Sequence, residues 1–335
     1  MSAKLSIIIP SYNCEKTIIN TINSILNQDF QDFEILIIND GSTDNTAKVC
    51  SDLNNPKIKV FTKENGRVVS TYMYGISKAE SEYIMFCDSD DTFKPNILKK
   101  VVTTITSEEA DVASFGYDLV SENGKILHRI LNGFKDGSFS LDTLEAKVLP
   151  NFIFNTTIKN CYYTFLVSRC CKIYKTVVLK TILDKLDPKC YQMEDNIFTT
   201  LCVLNSKKIT VCNESIYNYV TNTNTNTISK GFNWKLIDEY EYSFSHLKKV
   251  ISNYKIPNAD EQLTYMRFDF YRVIYRRAAK AITYKEIKPL LKTIRDLKIT
   301  KNLKLEKITA LKNKVFYILE KLRMDYLLYL IFRKA

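Results

Sequence analysis

Histidine is scarce in this chain, with only His128 and His246 among 335 residues, and the nine cysteines form no C-x-x-C pair. Without clustered His and Cys, neither a zinc site nor a disulfide framework is suggested. The thiols read as reduced side chains of a cytosolic protein. The vicinal pair Cys170-Cys171 reads as two small buried apolar groups rather than a redox couple. No stretch approaches the ~18 to 20 apolar residues that a membrane span needs. The opening run of MSAKLSIIIPSYN is too short for the apolar segment of a secretion signal. The expectation is a cytoplasmic protein, soluble or peripheral on the inner face of the cell membrane. No internal repeat and no G-x-G-x-x-G fingerprint appears, and the absence of G-x-x-x-x-G-K-[ST] excludes a P-loop phosphate site.

What is present is a chain with 45% apolar and 25% charged residues, neither fibrous nor disordered. It is long enough for one large domain of roughly 200 residues and a smaller one. The formal charge of +11 is unevenly placed. Residues 271–335 carry 18 Lys or Arg against 5 Asp or Glu, an excess of 13 that leaves the remainder at −2. A block of this kind points to an anionic partner surface.

Over the first hundred residues, short β-rich runs alternate with amphipathic helical patterns, the signature of an α/β fold with a mostly parallel central sheet. Strands are expected at Leu5 to Ile9, Glu34 to Ile38, Ile58 to Phe61 and Tyr83 to Cys87, with helices at Thr17 to Asn27, Val68 to Lys78 and Pro95 to Ile105. Further strands are expected at Val112 to Leu119, Leu166 to Ile173, Ile209 to Cys212 and Ile216 to Val220, and helices at Leu141 to Leu149 and Asn196 to Leu204. After the polar run Thr221 to Ser229 the pattern is helical to the end, which divides the chain into domains 1–230 and 231–335.

In an open parallel sheet, ligands gather beyond the carboxyl ends of the strands. Three early strands end there in polar motifs: Pro10-Ser11-Tyr12-Asn13, Asn39-Asp40-Gly41-Ser42-Thr43-Asp44 and Asp88-Ser89-Asp90-Asp91. Each alone is ordinary turn and N-cap chemistry. Together they place carboxylates in one crevice, and oxygen ligands without His or Cys favour Mg2+ or Mn2+. Such an ion would bridge diphosphate oxygens and neutralise charge on a leaving group.

The strings LSIIIPSYNCEKTIINTINSILNQDFQDFEILIINDGSTDNT and AESEYIMFCDSDD, followed later by YQMEDNIF, resemble the family 2 glycosyltransferases over roughly residues 4 to 220. The resemblance implies the GT-A fold, a Rossmann-like nucleotide-sugar-binding domain, here followed by a helical C-terminal region. It also implies an inverting transferase of the bacterial cell-surface polysaccharide type, moving a hexose or N-acetylhexosamine from a UDP-sugar to a glycan or lipid-linked acceptor. Carried over by residue, it implies that Pro10, Tyr12 and Asn13 line the nucleoside pocket and that Asp40 reads the base edge. Ser11, Glu15, Gly41 and Ser89 join the nucleotide-sugar contacts, as does Lys172, for which a surface lysine beside a strand is the other reading; Arg67 reads either as reaching the same crevice from one turn earlier or as a solvated helix-start residue. Asp90 would touch the metal directly, and Asp88 would serve the ribose or the metal shell. In the Glu194-Asp195 pair, Asp195 would be the catalytic base, as an acceptor hydroxyl of high pKa requires. The competing reading of this pair is an N-cap and first-turn acid. One departure stands out: where the family has Ala-Arg-Asn, this chain reads Thr71-Tyr72-Met73, without the arginine.

In the tail, residues 313–334 place Val315, Ile318, Leu319, Leu322, Tyr326, Tyr329 and Leu330 on one helical face, the pattern of an interfacial helix on an anionic membrane. Docking on its own domain or a homo-oligomer contact are the other uses of such a stripe. Rival functions are a sugar nucleotidyltransferase, which lacks its early Gly-rich basic loop here, and a non-catalytic nucleotide-sugar-binding scaffold, against which both Asp90 and Asp195 speak. No motif supports nucleic acid as a partner.

Overall fold

The computed structural model describes residues 3–154, 165–221, 232–308 and 311–334. Ten strands form one sheet: β1 (Leu5–Ser11), β2 (Phe33–Asn39), β3 (Ile58–Thr62), β4 (Tyr83–Phe86), β5 (Thr92–Phe93), β6 (Val112–Ser121), β7 (Ile126–Ile130), β8 (Gly137–Ser140), β9 (Lys172–Lys175) and β10 (Lys208–Thr221). Their order is β3-β2-β1-β4-β9-β6-β10-β5, with β7 beside β6 and β8 beside β10. The β3-β2-β1-β4 half is wholly parallel, and β9 runs antiparallel between β4 and β6.

The parallel half follows from its residues. Leu5, Ile7, Ile8, Ile9 and Ile35 to Ile38 have no accessible surface, so both faces of these strands are covered, as in a buried parallel sheet. The helix Arg67–Lys78 lies directly on β1 and β2. Gly75 permits that approach, since a Cβ there would sit 2.6 Å from Ile8 Cγ2 and 3.2 Å from Ile38 Cγ1. The main-chain bond from Asp40 to the Ser11 carbonyl, 2.8 Å, continues the β1–β2 pairing past the strand ends and brings their polar motifs side by side.

Several expectations change. The strand expected over Leu166 to Ile173 begins only at Lys172. The Lys172 ammonium takes the carbonyls of Leu166 and Ser168, which curls this run away from a ladder. The two strands expected at 209–212 and 216–220 are one strand, β10, with register shifts on either side of Ser215. The short strands β5, β7 and β8 carry no hydrophobic alternation long enough to announce them. The helix expected at Leu141 to Leu149 is a helical run with a wide π turn at Leu144–Val148 and a tight turn at Leu149–Asn151.

Beyond the sheet lie helices Lys235–Ile251, Ala259–Ala281, Tyr284–Asp296, Leu311–Lys321 and Asp325–Lys334. The third is fixed at its start by a capping box between Thr283 and Glu286. The apolar stripes of these helices are largely buried, including Leu236, Ile237, Tyr240, Phe244 and Leu247, and Ile287, Leu290, Leu291 and Ile294. The expected domain boundary near residue 230 lies outside the described residues. The single tail helix is corrected to two, separated at Arg323, whose φ is +55°. The break divides the expected face. Leu319 and Tyr329 are buried with Phe316, Leu328 and Phe332, whereas Ile318, Leu322, Tyr326 and Leu330 are exposed. Among the described residues, no helix is long and apolar enough to cross a membrane.

Candidate active site

The acidic turn after β4 is held from three sides. The Tyr217 hydroxyl on β10 accepts from the Asp88 amide at 3.1 Å and donates to Asp91 Oδ2 at 2.7 Å. The Val220 amide donates to Asp91 Oδ1 at 2.7 Å, and the Thr21 hydroxyl reaches the carbonyls of Ser89 and Asp91. Asp91 is therefore an internal brace of the turn, only 2% exposed. Burial, followed by the charges of Asp88 and Asp90, pushes its carboxyl up to about 8. Asp90 points outward, with no ion pair among the described residues. Partial desolvation by the surrounding crevice, and then the Asp88 charge, raise its pKa.

Across the crevice, Glu194 and Asp195 open the helix Glu194–Leu204. Met193, immediately before them, has φ +60°, a conformation costly for a side chain with a Cβ and one often kept at functional sites. Burial first, and then the Asp195 charge, pushes the Glu194 carboxyl up to about 7.

Between the two acidic groups lies Arg169, 4% exposed. Its Nη2 donates to Asp88 Oδ1 at 2.5 Å and its Nη1 to Asp195 Oδ1 at 2.8 Å. Burial works against this charge, but Asp88 and Asp195 outweigh it and the guanidinium stays protonated. It also lies over the Tyr72 ring, 5.5 Å from the centroid, while its buried Nε has no hydrogen-bond partner among the described residues. An arginine therefore does reach the crevice, from β9's leading loop and beside the position where sequence resemblance expects one. Sequence reasoning missed it. The available signal was a lone charge inside the apolar run Phe165 to Cys171, which needs a buried counter-charge.

The remaining expected residues are partly brought together. Tyr12 is half exposed at the end of β1, free to lie against a planar ring. Asn13, with φ +48°, accepts from the Thr43 amide at 2.8 Å, and Glu15 accepts from the Asn45 amide at 2.9 Å, so both knit the first motif to the second. Ser11 is buried and bonds the Ile9 carbonyl, next to the partly exposed Pro10. Gly41 takes φ +69°, which a side chain would strain. Asp40, 3% exposed, accepts from Lys63 Nζ at 2.5 Å and from the Gly66 amide at 3.0 Å, and so orders the 63–66 loop.

Arg67 stacks on Tyr191, 3.7 Å from its centroid, and pairs with Glu239 of the helix Lys235–Ile251 at 3.5 Å. Lys172 is corrected: fully buried and spent on two carbonyls, it cannot touch a sugar and instead supports the loop carrying Arg169. His246 also differs from expectation, because its ring lies with Asp187 and Cys190 in a group of three metal-ligand types within 4.8 Å. Asp187 already accepts from Tyr242 and the Lys189 amide there, and His246 Nε2 donates to the Lys185 carbonyl.

Asp88 and Asp90 suit a hard divalent cation. They supply oxygen only, Asp90 lacks a protein counter-charge, and two carboxylates leave positions for phosphate oxygens and water.

The sequence pattern described as glycosyl transferase family 2 matches residues 6–183, more than half of the chain. The chain belongs to glycosyl transferase family 2. It is a transferase enzyme, and the matched span contains the acidic turn and Arg169. Among its relatives, the poly(ribitol-phosphate) β-N-acetylglucosaminyltransferase TarS of Staphylococcus aureus is 27% identical over 223 residues, covering 65% of this chain and 35% of TarS. The chondroitin synthase of Pasteurella multocida is 32% identical over 163 residues, 48% of this chain and 17% of that protein. The chain thus spans about a third or less of the length of these two relatives. The crystal structure of TarS 1–349 superposes with a TM-score of 0.63 at 20% identity, covering 99% of this chain and 90% of that one. A mannosyltransferase from Pyrobaculum calidifontis, solved with GDP-Man and Mn2+, gives 0.53 at 14% identity over 96% of this chain and 87% of that one. These likenesses show the GT-A fold.

Proposed function

We propose that this transferase moves a hexose or N-acetylhexosamine from a UDP-sugar to a hydroxyl of a growing surface glycan or lipid-linked acceptor, inverting the anomeric centre. The observation that carries the reading is the bridge Asp88–Arg169–Asp195, which ties a candidate donor-binding carboxylate to a candidate base. Two lines of support come from relatives: TarS is named for N-acetylglucosamine transfer to poly(ribitol phosphate) and has been solved with UDP and with UDP-GlcNAc.

In this reading the residues divide the work. Tyr12 stacks on the base, and Asp40 fixes the loop that faces it. Asp90, with Asp88, holds Mg2+ or Mn2+, which when bound neutralises charge on the diphosphate. Asp195 accepts the acceptor proton as the hydroxyl attacks opposite the diphosphate, so one displacement with one base inverts the configuration. Arg169, bonded to Asp195 Oδ1, keeps that carboxylate aimed. Residues 1–230 form the catalytic domain and 231–335 the acceptor-facing one.

Incubation with a panel of UDP-sugars and Mn2+, reading UDP release with and without glycan acceptor, tests the reading; no release with any donor overturns it. Retained UDP affinity in Asp90→Ala with chelator present would remove the metal from the account. The exposed row Ile318, Leu322, Tyr326 and Leu330, flanked by Lys321 and Arg323, further supports a peripheral contact with an anionic membrane. Equal flotation on anionic liposomes by the full chain and by one truncated before Asn313 would refute that contact.

A further inference from the structure

Two adjoining clefts open on the helical region. One, of about 540 Å3, lies between the helices Lys235–Ile251 and Ala259–Ala281 and the segment 297–302. The other, of about 280 Å3, lies between that segment and the end of the helix Leu311–Lys321. Lys298 and Lys301 line both, and the two adjoining clefts are together called the groove. Lys248, Lys321 and Arg323 complete its exposed cations. Among the described residues none of these five makes an ion pair, in contrast to Arg267 and Arg295, which line the same walls but are committed to Glu241 and to Glu320 and Asp325. Asp260 and Glu320 are the acids along the groove, and Glu320 is already bound to Thr300 and Arg295.

The backbone gives an independent sign. Lys298 and Arg323 have φ +52° and +55°, each at the end of a helix that closes in the same way. Lys298 donates to the Arg295 carbonyl and Ile299 to Ile294, while Arg323 donates to Glu320 and Met324 to Leu319. Glycine, or less often asparagine, is the low-cost residue at this left-handed position. The same closure occurs at Glu109, which does not line the groove; at the two helix ends that do line it, the residue is a cation.

The groove is also linked to the crevice. Glu239, which pairs with Arg67 at the crevice wall, and Lys248 stand on the same helix. Nine residues at 1.5 Å each separate them by about 13 Å along its axis. Long, flexible, unpaired ammonium groups bind phosphate or carboxylate as point charges without demanding one geometry, which suits a polymer sliding past rather than a single fixed anion.

We propose that this groove binds a polyanionic chain, bearing phosphate or carboxylate groups at intervals, and so holds the acceptor beside the active site. The inference rests on the transferase reading for its purpose, but not for its test. Full-length protein is titrated with medium-chain inorganic polyphosphate, with orthophosphate, and with UDP. The wild type is expected to bind polyphosphate far more tightly than orthophosphate per phosphate. Lys298→Glu with Lys301→Glu should weaken polyphosphate binding about tenfold and reduce its salt-dependence slope by about 2, leaving UDP affinity unchanged. The pair Lys298→Gly and Arg323→Gly should weaken the same binding while raising the thermal midpoint, a combination that a merely structural role would not give. Unchanged polyphosphate affinity and slope in both variants would overturn the proposal, as would orthophosphate binding as tightly as the chain. Retention on phosphatidylglycerol vesicles that depends on Lys298 and Arg323, with polyphosphate binding unaffected, would assign the groove to a lipid surface instead. Loss of UDP binding in the wild type, with polyphosphate binding intact, would count against the transferase reading alone.

Discussion

The crevice and the C-terminal groove are opposite in sign and in rigidity. In the crevice, Asp88, Asp90, Asp91, Glu194 and Asp195 gather around the buried guanidinium of Arg169, and Asp88, Asp91 and Asp195 are each fixed by a named bond. In the groove, Lys248, Lys298, Lys301, Lys321 and Arg323 stand exposed, with no ion pair among the described residues. Fixed charge suits bond-making, because a group already oriented costs little reorganisation when the reaction begins. Loose charge suits retention of a flexible anion, which pays for no single geometry.

Substitutions can break this contrast. The largest effect is expected from Asp195→Asn, which should lower kcat by about 10² to 10⁴ while sparing UDP affinity. Arg169→Met should lower kcat by roughly 10² and unfolding free energy by about 3 kcal/mol, the lower end for breaking a buried pair because both carboxylates are partly exposed. Lysine at 169 should not rescue it, because an ammonium lacks the fork that spans two carboxylates. Steady-state kinetics and urea unfolding of both variants check this. Tyr217→Phe should cost about 1 to 3 kcal/mol by leaving Asp91 short of a donor in a buried site, visible in the same unfolding assay.

A smaller effect concerns pH. Burial, with the charges of Asp88 and Asp90, raises the Asp91 carboxyl to about 8, and burial with the Asp195 charge raises Glu194 to about 7. A carboxyl whose pKa is raised by folding binds more protons in the native state than in the unfolded one between those values. These groups therefore make stability fall as pH rises from about 4 toward 8. Asp91→Asn should flatten that slope; an unchanged slope in thermal melts across the range would exclude Asp91 as its source.

The two regions also differed in how far sequence disclosed them. The parallel strands were legible because Ile7 to Ile9 and Ile35 to Ile38 are continuous apolar runs bounded by turn residues, and the acidic turn because three polar motifs follow strand ends. Arg169 was not legible, since its partners Asp88 and Asp195 lie 81 and 26 residues away and meet only through the antiparallel placement of β9. Lys172 misled for a related reason: a lysine beside a strand reads as exposed, and only the folded loop shows its ammonium on two carbonyls. The tail was read as one helix because its apolar spacing continues through 322–324, where no glycine or proline marks the break that Arg323 makes. The excess of positive charge was plain from composition, but the groove that collects it depends on where two helices end.

The most direct test of the central claim, that Asp195 acts on a donor held at Asp88 and Asp90, is UDP release from the preferred UDP-sugar with acceptor by wild type and Asp195→Asn at equal occupancy by UDP. The account predicts near-complete loss of acceptor-dependent release with UDP affinity retained. Acceptor-dependent turnover at the wild-type rate in Asp195→Asn would contradict it.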